Sequence, residues 1–266
     1  MEEKLQKLLL FLREKKSLVV ALSGGVDSST LLYAAHLALD ENVIAITAKS
    51  EMLSSDELDK AKAMAEKAGV RHMIVEAKDL DNPDVCANTP ERCYYCKKGR
   101  FQKLVNFAKK EGYAFVADGG NLDDKKDYRP GMRALEELSP YVISPFMECG
   151  WTKADIRRQA KAWGLEVWNA PSAACLASRV EYGLELTPQR LHQVEMAEKA
   201  IRPYTEGQLR VRHHGSIARI EAEPDSMENL LRHRDEIAKE LRGIGFRYVT
   251  LDLVGYRMGS TNEVLS

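Results

Sequence analysis

The sequence has no long hydrophobic run and no excess of charge of one sign. No stretch of the 266 residues approaches the length of a membrane-spanning helix. The 39 lysines and arginines nearly balance the 40 aspartates and glutamates, so no general basic field would attract nucleic acid. The first residues, Met1–Leu5, are typical of an amphipathic helix rather than a secretory signal. We therefore expect a cytoplasmic protein whose anion binding is local.

Cysteine is scarce too. The chain has five cysteines, and three of them stand in unusual settings that are described below. Such usage favours metal or redox chemistry in a reducing compartment over disulfide bonds.

Apolar strands alternate with helical segments over the first two thirds of the chain. The predicted strands are 18–22, 43–47, 72–75, 113–117 and 141–144, with helices over 4–14, 28–39 and 58–68. This alternation predicts an α/β fold, a parallel sheet with helices on both faces. After Arg179 the pattern changes to a small α+β unit, with strands at 208–213, 217–221 and 248–253 and helices starting near 187 and over 226–242. We therefore predict two domains, 1–182 and 183–266.

A glycine turn follows the first predicted strand. In Leu18–Ser29 an apolar strand leads into Ser-Gly-Gly, and a helix begins near Asp27. Two glycines allow a sharp turn close to a ligand, and the first helical turn presents N–H groups to an anion. The segment lacks the lysine of a Walker loop and the third glycine of a dinucleotide fingerprint. The plain alternative is a strand-to-helix turn that binds nothing.

Residues Ser23–Ser28 resemble the Ser-Gly-Gly-x-Asp-Ser signature of the PP-loop ATP pyrophosphatase superfamily. The resemblance implies cleavage of ATP between its α and β phosphates and adenylation of a substrate. In a parallel sheet ligands bind beyond the carboxyl ends of the strands. Ser23, Thr47 and Asp118 would all lie there, facing one pocket.

Two cysteines form a Cys-x-x-Cys motif, Cys93 and Cys96, next to basic residues that favour thiolates. A redox pair and half of a structural zinc site are the alternatives, although the zinc site would need a second thiol pair. Cys175 stands alone in Asn169–Arg179, where Arg179 could hold an anion or favour the thiolate. A buried structural cysteine is an equally good interpretation of Cys175.

Along nearly its whole length the chain resembles the LarE family of ATP-dependent sulfur transferases. The matching stretches are Ser23–Ser28, Asp118–Asp124, 127–131, 171–179 and 210–215. The resemblance implies maturation of a nickel-pincer nucleotide of the lactate racemase type. The carboxylates of a pyridinium-3,5-biscarboxylate mononucleotide are activated by ATP and magnesium as acyl adenylates, and a sulfur nucleophile then displaces AMP.

The resemblance also suggests roles for individual residues. We expect the pyrophosphate region of ATP at Ser23, Gly24, Gly25, Asp27 and Ser28, with Mg²⁺ held by Asp27 and Asp124. Further ATP contacts are expected at Asp118, Gly119 and, for adenine, the backbone near Thr47. Arg210 and Arg212 alternate along one strand, so both would point to one face and could bind the substrate phosphate together with Arg179. Arg129 has either an ATP or substrate role or a surface salt bridge.

Members of this family differ in their sulfur source. In one kind a lone cysteine equivalent to Cys175 gives up its sulfur and becomes dehydroalanine. In the other kind three cysteines hold an iron–sulfur cluster. Since this chain has Cys93, Cys96 and Cys175, we predict that these are the catalytic thiols and hold a [4Fe-4S] cluster with one iron lacking a protein thiolate. A homo-oligomer, such as a hexamer, and a protein that reloads sulfide would be the partners.

Three other functions remain open. A tRNA thiolase of the same superfamily would carry a basic RNA-binding region, against which the balanced charge speaks. An amide-forming synthetase would need ammonia and no thiol triad, and an ATP-sensing or metal-storage module would release no pyrophosphate. Several polar or aromatic residues are expected to be structural. His213 and His214 could ligate a metal, but we expect a pair in an exposed loop after a strand. The three tryptophans are expected in packing rather than as stacking platforms. Glu221, Glu223 and Asp225 could form a second metal patch, but we expect them in solvent.

Overall fold

A computed structural model describes residues 1–126, 130–171, 174–257 and 259–265. The chain divides into two compact units, which are described separately. The first comprises residues 1–79 and 93–170, and the second comprises residues 80–92 and 171–266. In the described ranges no helix is both long and apolar enough to cross a membrane.

The first unit is built on a parallel five-stranded sheet. Its strands are β1 (Leu18–Ala21), β2 (Val43–Lys49), β3 (His72–Glu76), β4 (Phe115–Ala117) and β5 (Val142–Ile143). Their order is β3-β2-β1-β4-β5, and Leu18 pairs with Val43 on one side and Phe115 on the other. The predicted α/β fold is therefore confirmed.

Helices cover both faces of this sheet. They are α1 (Glu2–Glu14), α2 (Val26–Leu39), α3 (Ser55–Lys67), α5 (Arg92–Glu111), α6 (Pro130–Glu136), α7 (Pro145–Glu148) and α8 (Lys153–Ala162); α4 (Pro83–Cys86) belongs to the second unit. Neighbouring residues of β1 enter different cores. Val20 packs with Leu8 and Leu31, whereas Val19 packs with Leu104 on the opposite face. Because both faces are buried, the strand is a continuous apolar run rather than an alternating one.

The second unit contains a three-stranded mixed sheet. Strands β6 (Leu209–His214) and β7 (Ile217–Ala222) are antiparallel, and β8 (Tyr248–Leu251) pairs with β7 in parallel. Its longer helices are α9 (Pro188–Ile201), α10 (Met227–Arg232) and α11 (Arg234–Ile244). The helix predicted over 226–242 is thus two helices, which meet at His233.

The division into units differs from the predicted boundary between residues 182 and 183. Val180 bridges to His213 of β6, and the carbonyl of Ser178 accepts a hydrogen bond from Arg212, so the residues before 183 pack with the second unit. The segment 80–92 joins them, because the amide of Asn88 donates to the carbonyls of Glu181 (2.8 Å) and Leu184 (3.0 Å). These contacts pair residues more than ninety positions apart.

Candidate active site

The glycine turn after β1 is held rigid by its own serines. The Ser28 hydroxyl accepts from the Ser23 N–H (3.2 Å) and donates to the carbonyl of Gly25 (3.2 Å). Gly24 has φ +76°, and a Cβ there would lie 2.6 Å from the backbone oxygen of Glu57 in α3. Only glycine fits, because the position is both left-handed and in close contact with a neighbouring helix.

Helix α2 begins directly after this turn. Its N-cap is Gly25, which offers no side-chain cap to the first-turn N–H groups. Such groups and the positive end of the helix dipole bind phosphate readily. The geometry of Ser23–Ser28 thus suits the pyrophosphate of ATP.

Asp27, in the first turn of α2, forms an ion pair with a lysine that is not among the predicted site residues. The Nζ of Lys153 contacts Oδ2 of Asp27, while Oδ1 is buried and has no hydrogen-bond partner among the described residues. Burial raises the pKa of Asp27 above its usual value, although Lys153 opposes that shift. The backbone N–H of Lys153 donates to Asp123 (2.9 Å), which anchors the start of α8.

The orphaned oxygen of Asp27 makes the site suitable for magnesium. A buried carboxylate oxygen without a partner fits a hard cation, which prefers oxygen ligands. Asp124 lies near enough for its charge to raise the pKa of Asp27 further, after the contributions of burial and Lys153. One or two carboxylates together with substrate phosphates are the usual Mg²⁺ ligands, so Asp27 and Asp124 fit the ion.

Asp118, at the end of β4, is saturated by protein groups. Its carboxylate accepts from Lys97 (3.0 Å), the Ser144 hydroxyl (2.6 Å) and the Gly120 N–H (3.1 Å). Burial alone would raise the pKa of Asp118, but the charge of Lys97 and these hydrogen bonds lower it. The carboxylate therefore orders the loop. The backbone at Gly119 lies close to the first turn of α2, since a Cβ on Gly119 would be 3.0 Å from the Ser28 nitrogen.

Thr47, in β2, also has an occupied side chain. Its hydroxyl donates to the carbonyl of Leu22 (2.8 Å) and lies 2.8 Å from Nε2 of His72. Burial, and then the charge of Lys62, lower the pKa of His72. A contact with adenine would thus come from the backbone near Thr47, as the sequence analysis expects.

The three predicted catalytic thiols are divided between the two units. Cys93 and Cys96 are half-buried in the first turns of α5, one helical turn apart. Cys175 belongs to the second unit, and its carbonyl accepts from Arg179 (3.0 Å) and Ser178 (2.8 Å). Among the described residues no group of three metal-ligating side chains could hold a metal ion. Two thiols one turn apart fit two ligands of a cluster.

The predicted phosphate ligands in β6 are both buried. The guanidinium of Arg212 makes five hydrogen bonds, to Glu221 twice, the carbonyl of Ser178, and the hydroxyls of Ser260 and Thr261. These bonds use every N–H of that group. Arg179 forms an ion pair with Glu198, in which its Nε lies 2.9 Å from Oε1. Because Arg212 and Arg179 are engaged with protein atoms, they order the segment around Cys175.

Arg210 differs from these two arginines in its electrostatics. It donates to the carbonyl of Leu209 (2.6 Å) and lies 5.5 Å from the ring centroid of Tyr256. Burial, followed by the charge of Arg179, lowers the pKa of Arg210 to about 10. An anion bound beside such a buried cation would favour its charged form.

Two expectations about this unit are wrong. His213 and His214 belong to β6 rather than to an exposed loop, and His213 is buried with its Nε2 3.1 Å from Gln193 Oε1. Glu221 is fully buried between Arg212 and Arg219 instead of solvated, whereas Asp225 is exposed.

The expected packing of the three tryptophans is confirmed. Trp151 is buried in the core of the first unit, and Trp163 and Trp168 pack against that core. Arg129 and the middle of the motif around Cys175, residues 172 and 173, lie outside the described residues.

The chain is similar in sequence to several known proteins. Residues 10–96 match the family model described as asparagine synthase. An uncharacterized protein of Synechocystis sp. is 38% identical over 100% of this chain and 99% of its own length. The pyridinium-3,5-bisthiocarboxylic acid mononucleotide synthase of Lactiplantibacillus plantarum is 37% identical over 97% of this chain and 94% of its own. A tRNA-specific 2-thiouridylase of Rickettsia canadensis is 28% identical, over 62% of this chain and 54% of the thiouridylase.

Proposed function

Because the chain belongs to the LarE family of ATP-dependent sulfur transferases, in the PP-loop superfamily, we propose that it converts carboxylates of pyridinium-3,5-biscarboxylic acid mononucleotide to thiocarboxylates. The product would serve the synthesis of a nickel-pincer nucleotide. The observation that carries the proposal is the turn Ser23–Ser28, ordered by Ser28 and followed by an uncapped helix in which Asp27 has one buried carboxylate oxygen.

In the first step a carboxylate oxygen of the substrate attacks the α-phosphorus of ATP. The bond from that phosphorus to the α–β bridging oxygen breaks, and pyrophosphate leaves toward the N-terminus of α2, where N–H groups stabilise its charge. Mg²⁺ bound by Asp27 and Asp124 would neutralise the phosphates. The product of this step is an acyl adenylate.

In the second step sulfur replaces the adenylate. A sulfur nucleophile attacks the acyl carbon, the bond from that carbon to the AMP oxygen breaks, and AMP leaves with its electron pair. A [4Fe-4S] cluster held by Cys93, Cys96 and Cys175 would supply the sulfur as sulfide bound at its open iron. Alternatively, the Cys175 thiolate attacks the acyl carbon and forms a thioester. Loss of the α-proton of Cys175 then breaks the Cβ–S bond of that residue and leaves dehydroalanine and the thiocarboxylate.

Residues of the second unit are proposed to hold the substrate phosphate. The buried guanidinium of Arg210 lies close to the charge of Arg179, and an added anion would favour its charged form, which supports this role. We propose that the protein works in the cytoplasm as a homo-oligomer with a sulfide-donor protein. The domains are proposed as an ATP pyrophosphatase domain and a C-terminal substrate-binding or oligomerisation domain.

The test is a reaction of the purified protein with ATP, Mg²⁺ and the biscarboxylate mononucleotide. Pyrophosphate and AMP should appear together with a product in which sulfur has replaced oxygen, as measured by mass spectrometry. Asp27→Asn should lower pyrophosphate release about 100-fold. Asp56→Asn is the matched control, because Asp56 is also the second residue of its helix, α3, but is exposed. Release of pyrophosphate without thiolated product would contradict sulfur transfer, and thiolation of tRNA instead would favour the thiouridylase relatives.

A further inference from the structure

The first unit contains a cavity of about 610 Å³ beyond the ends of β4 and β5. This volume is typical of a site for a small organic ligand. Much of its wall is apolar, formed by Met132, Leu135, Val142, Ile143 and Met147. Cys93 and Gly120 also line it, so it adjoins both the thiol motif and the loop at the end of β4.

The cavity begins where the proposed nucleotide site ends. Gly119 touches the first turn of α2, and its neighbour Gly120 lines the cavity. In the sheet, β2 with Thr47 lies on one side of β1, while β4 and β5 lie on the other. If adenine contacts the backbone near Thr47, the cavity is on the opposite side of the α-phosphate. An acceptor in the cavity can therefore approach the phosphorus without displacing the base.

The charged residues of the wall favour an acceptor that carries both a cationic ring and a carboxylate. Lys97 is the basic residue among the described lining residues, and its side chain is 34% exposed while it pairs with Asp118. The other charged lining residues are acids, namely Asp124, Glu136 and Glu148. Carboxylates near an apolar wall favour a cationic ring over a neutral one, and a single ammonium suits one carboxylate.

We propose that this cavity binds the ring of the acceptor, a cationic pyridinium dicarboxylate, and that Lys97 binds the carboxylate that becomes adenylated. The inference rests on the proposed function and adds where the substrate lies. Cys93 shares the cavity, which brings a thiol of the Cys-x-x-Cys motif to the wall where the acyl carbon would lie. Gly131 leaves room for Lys97, because a Cβ there would be 3.0 Å from the lysine's Cδ.

The first experiment narrows the cavity and measures binding by calorimetry. The probes are the biscarboxylate mononucleotide and α,β-methylene-ATP, which resists cleavage between its α and β phosphates. Met147→Trp should weaken mononucleotide binding at least about tenfold and leave the ATP analogue within about twofold. Met196→Trp is the matched control, since Met196 is exposed on α9 and does not line the cavity.

The second experiment removes the ammonium. Lys97→Met should weaken mononucleotide binding about tenfold or more. The adjacent Lys98→Met should not, because Lys98 is exposed and pairs with Glu137. To test the ring charge, 1-methylpyridinium-3,5-dicarboxylate should compete with the mononucleotide better than benzene-1,3-dicarboxylate, which has the same shape without the cation.

Each outcome bears on a separate claim. If the wild type binds no mononucleotide but binds the ATP analogue, the proposed substrate is wrong, and the inference is wrong with it. If Met147→Trp binds the mononucleotide as well as the wild type does, the inference is wrong while the proposed function stands. If Met147→Trp loses the ATP analogue instead, the cavity belongs to the nucleotide. Equal competition by the two dicarboxylates would overturn recognition of the ring charge.

Discussion

At the residue scale, Lys153 places an ammonium on the carboxylate that we propose as a magnesium ligand. The side chains of Lys153 and Asp27 are 32% and 28% exposed, so the pair is partly shielded from water. Without the lysine, Asp27 would keep its burial and lose its main counter-charge. Lys153 thus stabilises the site before a metal arrives.

We expect Lys153→Met to lower the free energy of unfolding of the ligand-free protein by about 1–3 kcal/mol. Urea unfolding measures the loss, and Mg²⁺ with α,β-methylene-ATP should restore part of it by neutralising Asp27. Lys62→Met is the control, because Lys62 pairs with Asp59 on an exposed helix face and should change stability by no more than about 0.5 kcal/mol. Equal losses in the two variants would show that the Lys153 pair has no special role.

Gly24 offers a second test at this scale. Gly24→Ala combines a left-handed residue with a Cβ only 2.6 Å from a backbone oxygen. Gly69→Ala is the control, since Gly69 has φ +67° and open space around it. We expect about 1–2 kcal/mol of destabilisation in Gly69→Ala and a larger loss in Gly24→Ala, together with loss of binding of the ATP analogue. Similar unfolding free energies would mean that α3 can move away from the turn.

At the element scale, strand β6 buries an ionisable ring. His213 packs against Phe246 with ring centroids 5.1 Å apart, and burial, with a smaller contribution from Arg190, lowers its pKa to about 4. The unfolded chain binds a proton near the ordinary pKa of 6.5, so it holds more protons than the folded state between pH 6.5 and 4. Stability therefore falls as the pH drops through that window.

Between pH 7.5 and pH 5 the wild type should lose about 1–2 kcal/mol more unfolding free energy than His213→Gln does. Urea titrations at the two pH values give the comparison. His192→Gln, at an exposed position of α9, should behave like the wild type. An identical pH dependence in His213→Gln and the wild type would mean that the ring titrates normally in the folded state.

The elements also show which features of the structure can be predicted from the sequence and which cannot. Helix α2 and the parallel strands follow from apolar runs, glycine turns and caps, all of which are local signals. Helix α5 is not among the predicted helices, although Phe101, Leu104, Val105 and Ala108 repeat with helical spacing. The pair of Lys153 with Asp27 and the five bonds of Arg212 join distant residues, so no local pattern reveals them.

At the scale of the whole molecule, the three thiols that we propose as cluster ligands belong to two units, Cys93 and Cys96 to the first and Cys175 to the second. After anaerobic purification we expect about four irons and an equal amount of acid-labile sulfide per chain. Cys93→Ser and Cys175→Ser should each lose them, whereas Cys86→Ser, outside the thiol set, should keep them. Negligible iron in the wild type even after reconstitution would leave Cys175 as a consumed sulfur donor, which mass spectrometry would detect as dehydroalanine.

The segment 80–92 leaves the first unit and returns to it at Cys93, which has a consequence for biosynthesis. The ribosome makes Asn88 more than ninety residues before Glu181 and Leu184, the carbonyl partners of its amide. At about 5–20 residues per second, the emerging segment waits roughly 5–20 s for these partners. Cys93 and Cys96 emerge within the same interval, before Cys175 exists. Newly made chains therefore pass through a stage in which Cys93 and Cys96 are present without Cys175, and a cluster with all three proposed ligands can form only after that stage.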